Sequence, residues 1–154
     1  MDTLNLSVVT APDADIAALL QVHFDLMRAA SPAESCHVME PTAVFDDAAV
    51  VLTARDNQRL LGIGALKSIE PHHGELKSMH TIAAARGKGV GGALLVALMD
   101  KARALGHTHL SLETGSADEF AAARALYANH GFVECPPFGD YTLDPLSAFM
   151  TRAL

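Results

Sequence analysis

Tryptophan is absent from this 154-residue chain and aromatic residues make up 5% of it, so the core has to be built from aliphatic side chains. Tyr127 and Tyr141 are its only two tyrosines, hence its only phenols. The two cysteines, Cys36 and Cys135, lie far apart and form no CxxC pair, which reads as reduced thiols in a cytoplasmic protein. No apolar run approaches the roughly 20 residues that span a bilayer, so no membrane association is expected. The N-terminus, "MDTLNLSVVT", lacks the basic and apolar regions of a secretory signal. Basic residues are few: 11 against 18 acidic ones, for a net charge of -7. That balance excludes charge-driven binding to nucleic acid. Eight histidines are present, but none has Cys or His partners at zinc-finger spacing and there is no HExxH helix, so no metal is expected.

What is present fits one domain over residues 1–154. Residues 4–9 alternate as a strand. Asp13 caps a helix whose apolar face carries Ile16, Leu19, Leu20, His23, Phe24 and Met27, and Ser31-Pro32 ends it. Residues 31–46 read as a loop or short helix. Strands over 48–54 and 60–69, with a turn at "RDNQR", form a hairpin that "ELKSMHTI" (75–82) extends to a meander. A helix from about 89 to 105 follows, with Val90, Leu94, Ala97, Leu98 and Leu105 as its core stripe and Gly106 as its stop. After a strand at 109–114, Ser116 and Glu119 match a capping box for a helix ending near His130-Gly131. "FVEC" and "SAFMTRAL" supply two last strands. Strands and helices in this order imply one mixed sheet with helices packed on it.

The most informative stretch is "ARGKGVGGALL", residues 85–95. It lacks the terminal Gly-Lys-Ser/Thr of a Walker A loop. Gly87, Gly89 and Gly92 match GxGxxG, and the acid Glu113 lies at a suitable distance. The context is wrong for a dinucleotide fold, because "AAAR" separates the glycines from their strand and an antiparallel meander precedes them. Amides at a helix start, cleared of side chains by Gly87, Gly89, Gly91 and Gly92 and flanked by Arg86 and Lys88, suit a pyrophosphate instead. The other reading is a glycine-rich turn that only lets the helix pack closely.

Arg86-Gly87-Lys88-Gly89-Val90-Gly91 matches the R/Q-x-x-G-x-G/A signature of the GNAT superfamily of N-acetyltransferases, and "LYANHGF" (126–132) resembles its later LYxxxGF element. The order of elements resembles that fold along nearly the whole chain, which implies an α/β mixed sheet of about seven strands flanked by about four helices. The resemblance implies acetyl-CoA as cosubstrate, with its pyrophosphate on the amides of residues 87–92 and its pantetheine and acetyl carbonyl along Met79, His80 and Thr81. It implies Tyr127 as the acid that reaches the coenzyme sulfur. In many superfamily members an Asn stands seven residues before that tyrosine; here the position is Phe120, so that contact does not carry over.

Transfer to an amine needs a held thioester, a stabilised oxyanion, a base for the ammonium and an acid for the thiolate. Strand period two would place Glu75, Lys77, Met79 and Thr81 on one face, which makes Glu75 the candidate base. Glu113 on the neighbouring strand is its rival, and a charge ladder through Lys77 is the third reading. For the acceptor, the loop 31–40 offers Glu34, Ser35 and His37, and the tail offers Asp140 and Tyr141 on the opposite side. Acidic groups suit a cationic small-molecule amine, while Lys77 and His37 suit an amino-acid carboxylate. A non-catalytic acyl-CoA sensor and a protein N-acetyltransferase stay open, as does a homodimer.

Overall fold

The structure is a computed structural model that describes residues 4–154; of the N-terminal stretch read above, residues 1–3 lie outside the described residues. Seven strands form one sheet: β1 (Asn5–Val9), β2 (Val50–Asp56), β3 (Arg59–Glu70), β4 (His73–Thr81), β5 (His109–Gly115), β6 (Val133–Glu134) and β7 (Ser147–Ala153). Their spatial order is β1-β2-β3-β4-β5-β7-β6. Every neighbouring pair is antiparallel except β4 and β5, which run parallel. That single parallel pair is made by the crossover through α3 (Val90–Ala104).

The helices divide between the two faces. On one, α1 (Ala14–Ala30) and the short α2 (Val44–Asp47) cover Val51, Leu60, Ile63 and Ala65 with Ile16, Leu19, Leu20 and Val44. On the other, α3 and α4 (Ala121–Asn129) cover Leu52, Leu61, Leu66, Leu76, Leu110 and Leu112. Both cores are largely aliphatic, as the scarcity of aromatics requires. Asp13 caps α1 by accepting from the Ile16 N–H at 3.2 Å. Arg55 then clamps that end to the β2–β3 hairpin, giving Asp15 a hydrogen bond of 2.8 Å that holds its carboxyl well below the usual range.

Four expectations need correction. Leu105 is exposed, and Leu95, Met99 and Ala102 join Val90, Leu94 and Leu98 in the buried stripe of α3. Ser116 does not cap α4: its hydroxyl donates to the Pro145 carbonyl at 2.6 Å, and a short turn over Asp118–Phe120 precedes the helix. Arg124 performs the anchoring instead, donating to the carbonyls of Gly115 at 2.7 Å and Ala117 at 2.9 Å. The tail and the loop 31–40 lie on the same side, since the rings of Tyr141 and His37 meet edge to face at 5.0 Å.

The fourth difference is a bulge that breaks the alternation of β4. Glu75, Lys77, Met79 and Thr81 do not share a face, because the β3–β4 register shifts between Ile63 (opposite His80) and Ala65 (opposite Lys77). Ser78 sits in the left-handed region, at φ 57°, and absorbs the extra residue as a bulge. Met79 therefore packs into the α3 core, while Lys77 and His80 both face the α1 side, three residues apart.

Leu98 is fully buried at the centre of the α3 face. Leu98→Ala is expected to cost about 2–5 kcal/mol of unfolding free energy, checked by urea denaturation.

Candidate functional site

Pairing between β4 and β5 runs from His73–His109 to Leu76–Leu112 and then stops. Beyond it β5 stays paired with β7, Glu113 opposite Phe149, while β4 stays with β3. The two strands diverge, and the opening between them continues into a cleft of about 700 Å³. This volume lies within the ordinary range for small-molecule sites.

The glycine stretch forms one end. Gly87 and Gly89 have φ of 76° and 86°, which L side chains rarely adopt, and a Cβ at either would meet no neighbour within 4 Å. Gly91 and Gly92 serve differently: a Cβ on Gly91 would lie 3.1 Å from Leu126, and one on Gly92 would lie 3.5 Å from His130. Gly91 lets α4 close on the start of α3, whereas a Cβ at Gly92 would make ordinary contact. The close-packing reading of this stretch holds at Gly91, while Gly87 and Gly89 serve the turn into α3. The first α3 amide with a carbonyl partner is that of Ala93, on Gly89 at 3.0 Å. The amides of Val90, Gly91 and Gly92 are left for an anion at the positive end of a 15-residue helix. Arg86 lines the cleft beside them, while Lys88 is exposed and does not. The residues fit a pyrophosphate: an open cradle that no Cβ fills, free amides and a cation.

The middle of the cleft holds Tyr127, with Ala123 and Phe120 from the same segment. Tyr127 is 7% exposed and packs edge-on to Phe132. Burial, then the neighbouring Glu113, pushes its phenol up to about 12, so it keeps its proton at neutral pH. The Phe120 ring lies across the backbone of Gly115 so closely that a Cβ there would fall 2.1 Å from it, which explains that glycine.

Glu113 stands on the β5 lip of the opening and lines the cleft. Burial pushes its carboxyl up to about 7; the Ser147 hydroxyl and Lys77 act against this, and Glu75 and Asp144 add to it. Glu75 is placed differently. It is 4% exposed, does not line the cleft, and accepts from the Tyr141 hydroxyl at 2.6 Å. Lys77 lines the cleft, but its ammonium donates to Tyr141 at 3.0 Å and to the His37 carbonyl at 3.2 Å.

Of the other residues expected at the acceptor, His37 lines the cleft, Tyr141 stands behind its wall, and Glu34 is exposed away from it. Met79, His80 and Thr81 line it from the bulged strand. Sequence reasoning placed His23 in the core only. Its Nδ1 lies 2.9 Å from Nδ1 of His80, and both rings line the α1 side of the cleft. Burial, then His80 and Lys77, lowers His23 to about 4, so the pair stays neutral and one ring donates to the other. The polar residue on an otherwise apolar helix stripe was the available signal. Leu26, Met27, Val38 and Met39 complete this end with apolar surface.

Among the described residues no helix is long and apolar enough to cross a membrane, and no cluster of three or more His, Cys, Asp or Glu is placed to hold a metal. The chain is 40% identical to the uncharacterized N-acetyltransferase YsnE of Bacillus subtilis over 139 residues, covering 90% of this chain and 92% of that one. A solved Klebsiella pneumoniae structure that is 31% identical superposes with a TM-score of 0.78 over 98% of this chain and 97% of the other. A GNAT acetyltransferase of Elizabethkingia anophelis, solved with acetyl-CoA bound, shares the fold at 18% identity and a TM-score of 0.71, over 100% of both chains. The profile of the Acetyltransferase (GNAT) family matches residues 16–132. With the splayed parallel pair and the glycine cradle in place, this chain belongs to the GNAT family of acetyltransferases.

Proposed function

We propose that the protein transfers the acetyl group of acetyl-CoA to the primary amine of a small or amino-acid-like acceptor, directly and with both ligands in the cleft. The observation that carries this reading is the divergence of β4 and β5 after Leu76 and Leu112, which sets Glu113 and Tyr127 on the same opening. Bound acetyl-CoA would supply an activated thioester. The amides of residues 87–92 and Arg86 would hold its pyrophosphate. The bulge leaves Ser78 and Met79 without an opposite residue on β3, and main-chain donors there would serve the acyl oxygen.

The proton balance assigns the side chains. An ammonium acceptor loses two protons during amide formation; one is needed on the departing sulfur and one leaves with solvent. Glu113, poised near 7, is matched to take a proton from the ammonium. Tyr127, which stays protonated, is matched to supply one to the sulfur. Glu75 is engaged by Tyr141 and does not line the cleft, which supports giving the base role to Glu113. The neutral His23–His80 pair and the apolar side chains around it suit an acceptor with an apolar body. A panel of amines and amino acids, followed by free-thiol release, tests the whole reading. Tight coenzyme binding without release on any acceptor would favour an acyl-CoA sensor.

Gly91→Glu puts a carboxylate among the free amides, and Leu126 need move only a few tenths of an ångström. Calorimetric titration is expected to show coenzyme binding lost while the far-ultraviolet circular dichroism is unchanged. Tyr127→Phe is expected to lower kcat about 10- to 1,000-fold with a smaller change in KM, measured by steady-state kinetics.

Glu113 must be ionised to act, so kcat/KM is expected to hold above pH 7 and fall as pH drops through a midpoint near 7. The same shift predicts a stability effect. The carboxyl is raised above its ordinary value of 4.5, so stability declines as pH rises from there to about 7. Glu113→Gln is therefore expected to lose about 10²–10⁴ in kcat. At pH 8 the same variant is expected to gain roughly 2–3 kcal/mol in urea unfolding.

A further inference from the structure

Behind the acceptor end of the cleft runs a chain of part-buried polar contacts for which the transfer chemistry has no use. The Tyr141 hydroxyl donates to Glu75 Oε2 at 2.6 Å. Lys77 Nζ donates to the Tyr141 hydroxyl at 3.0 Å and to the His37 carbonyl at 3.2 Å, and lies 3.7 Å from Glu75 Oε2. The Lys77 and Glu75 side chains are 14% and 5% exposed. These four residues come from β4, from the loop over the acceptor end and from the loop between β6 and β7. The Tyr141 ring is fixed edge-on to His37 and packed against Phe138 and Phe149. The buried Glu75 carboxylate is tolerable here because the Tyr141 hydroxyl donates to it and the Lys77 ammonium lies beside it.

Of this set Lys77 and His37 line the cleft that Glu113 also lines, and Lys77 brings the charge. The groups facing Glu113 are Lys77 and Glu75 from β4, Asp144 from the loop before β7, Ser147 from β7 and Tyr127 from α4. Lys77 draws Glu113 toward the carboxylate, and Glu75 and Asp144 oppose it.

We propose that Tyr141 is a positioning residue: it holds the Lys77 ammonium between Glu75 and the His37 carbonyl, which seats the acceptor loop on the sheet and fixes the charge that Glu113 faces. Its catalytic consequence rests on Glu113 being the base. The seating itself and the titration of Glu113 are measurable with no acceptor at all.

Two measurements on the full chain test it. The first is carbon-13 NMR of carboxyl-labelled glutamate, with the Glu113 signal assigned by its loss in Glu113→Gln. Glu75→Gln removes a negative neighbour and is expected to lower the Glu113 midpoint by about 0.5–1 pH unit; Lys77→Met is expected to raise it by a similar amount. The second is the rate at which a maleimide labels Cys36, which lies in the acceptor loop, in a Cys135→Ser background. Tyr141→Phe keeps the ring but removes the hydroxyl, and is expected to speed labelling roughly 3- to 10-fold by freeing the loop. Lys77→Met leaves a buried carboxylate uncompensated; if it does not fold, Glu75→Gln and Tyr141→Phe carry the test. An unmoved midpoint in Glu75→Gln overturns the proposal, as do shifts of the same sign in the two charge variants. So does parental labelling in Tyr141→Phe. Absence of thiol release from every amine would defeat the acetyl-transfer reading and leave both measurements standing.

Discussion

The parallel hydrogen bonds between β4 and β5 end at Leu76 and Leu112, and the rest of the structure depends on that ending. A sheet that continued would have no interior cleft. Each strand has its own outer partner, so the divergence leaves neither without a ladder: β4 is held by β3, and β5 by β7 over its whole length. The bulge at Ser78 extends the effect, because it turns His80 toward α1 and Met79 toward α3. One irregular residue thus gives the two faces of the opening different chemistry. Backbone in the left-handed region at a serine is uncommon, and here it stands at the cleft.

The glycine stretch shows how one short sequence can satisfy two demands. Gly87 and Gly89 take positive φ so that the chain can turn into α3, and Gly91 lacks a side chain so that α4 can approach. The result is an exposed row of amides next to a point where Leu126 of α4 meets the start of α3. Rigidity below and openness above are what a site for a long phosphorylated ligand requires. The family to which the chain belongs fits that geometry.

Much of this was legible in the sequence, and the failures have identifiable physical causes. Strand and helix order follow from apolar periodicity and were readable almost throughout, as were the Asp13 cap and the glycine motif. The period-two reading of β4 failed because a bulge has no compositional signature: "LKSMHT" looks like uninterrupted strand. The capping box failed because the Ser116 hydroxyl found a tertiary partner in Pro145, and a local motif cannot anticipate that. On paper Glu75 was the candidate base and Glu113 its rival. Only burial and the Tyr141 hydrogen bond, both products of distant chain segments, separate one from the other. His23 was visible as a polar break in an apolar stripe, but its partner His80 lies 57 residues away.

The few aromatic rings are unevenly distributed. The two aliphatic cores draw little on phenyl rings, apart from Phe132 and Tyr127 on the α4 side. Most other rings gather at or behind the cleft: Phe120 over Gly115, and Phe138, Tyr141 and Phe149 in contact with one another. Both tyrosines stand there, and burial raises both phenols, so each remains a donor across the physiological range. Their hydroxyls nevertheless have different surroundings. That of Tyr141 is held by Glu75 and Lys77 in a closed arrangement. That of Tyr127 has no hydrogen-bond partner among the described residues, and the residue lines the cleft. A hydroxyl already committed to a buried pair cannot give its proton to a reacting atom without exposing that pair. An uncommitted one can, which is the physical reason to give the two tyrosines different work.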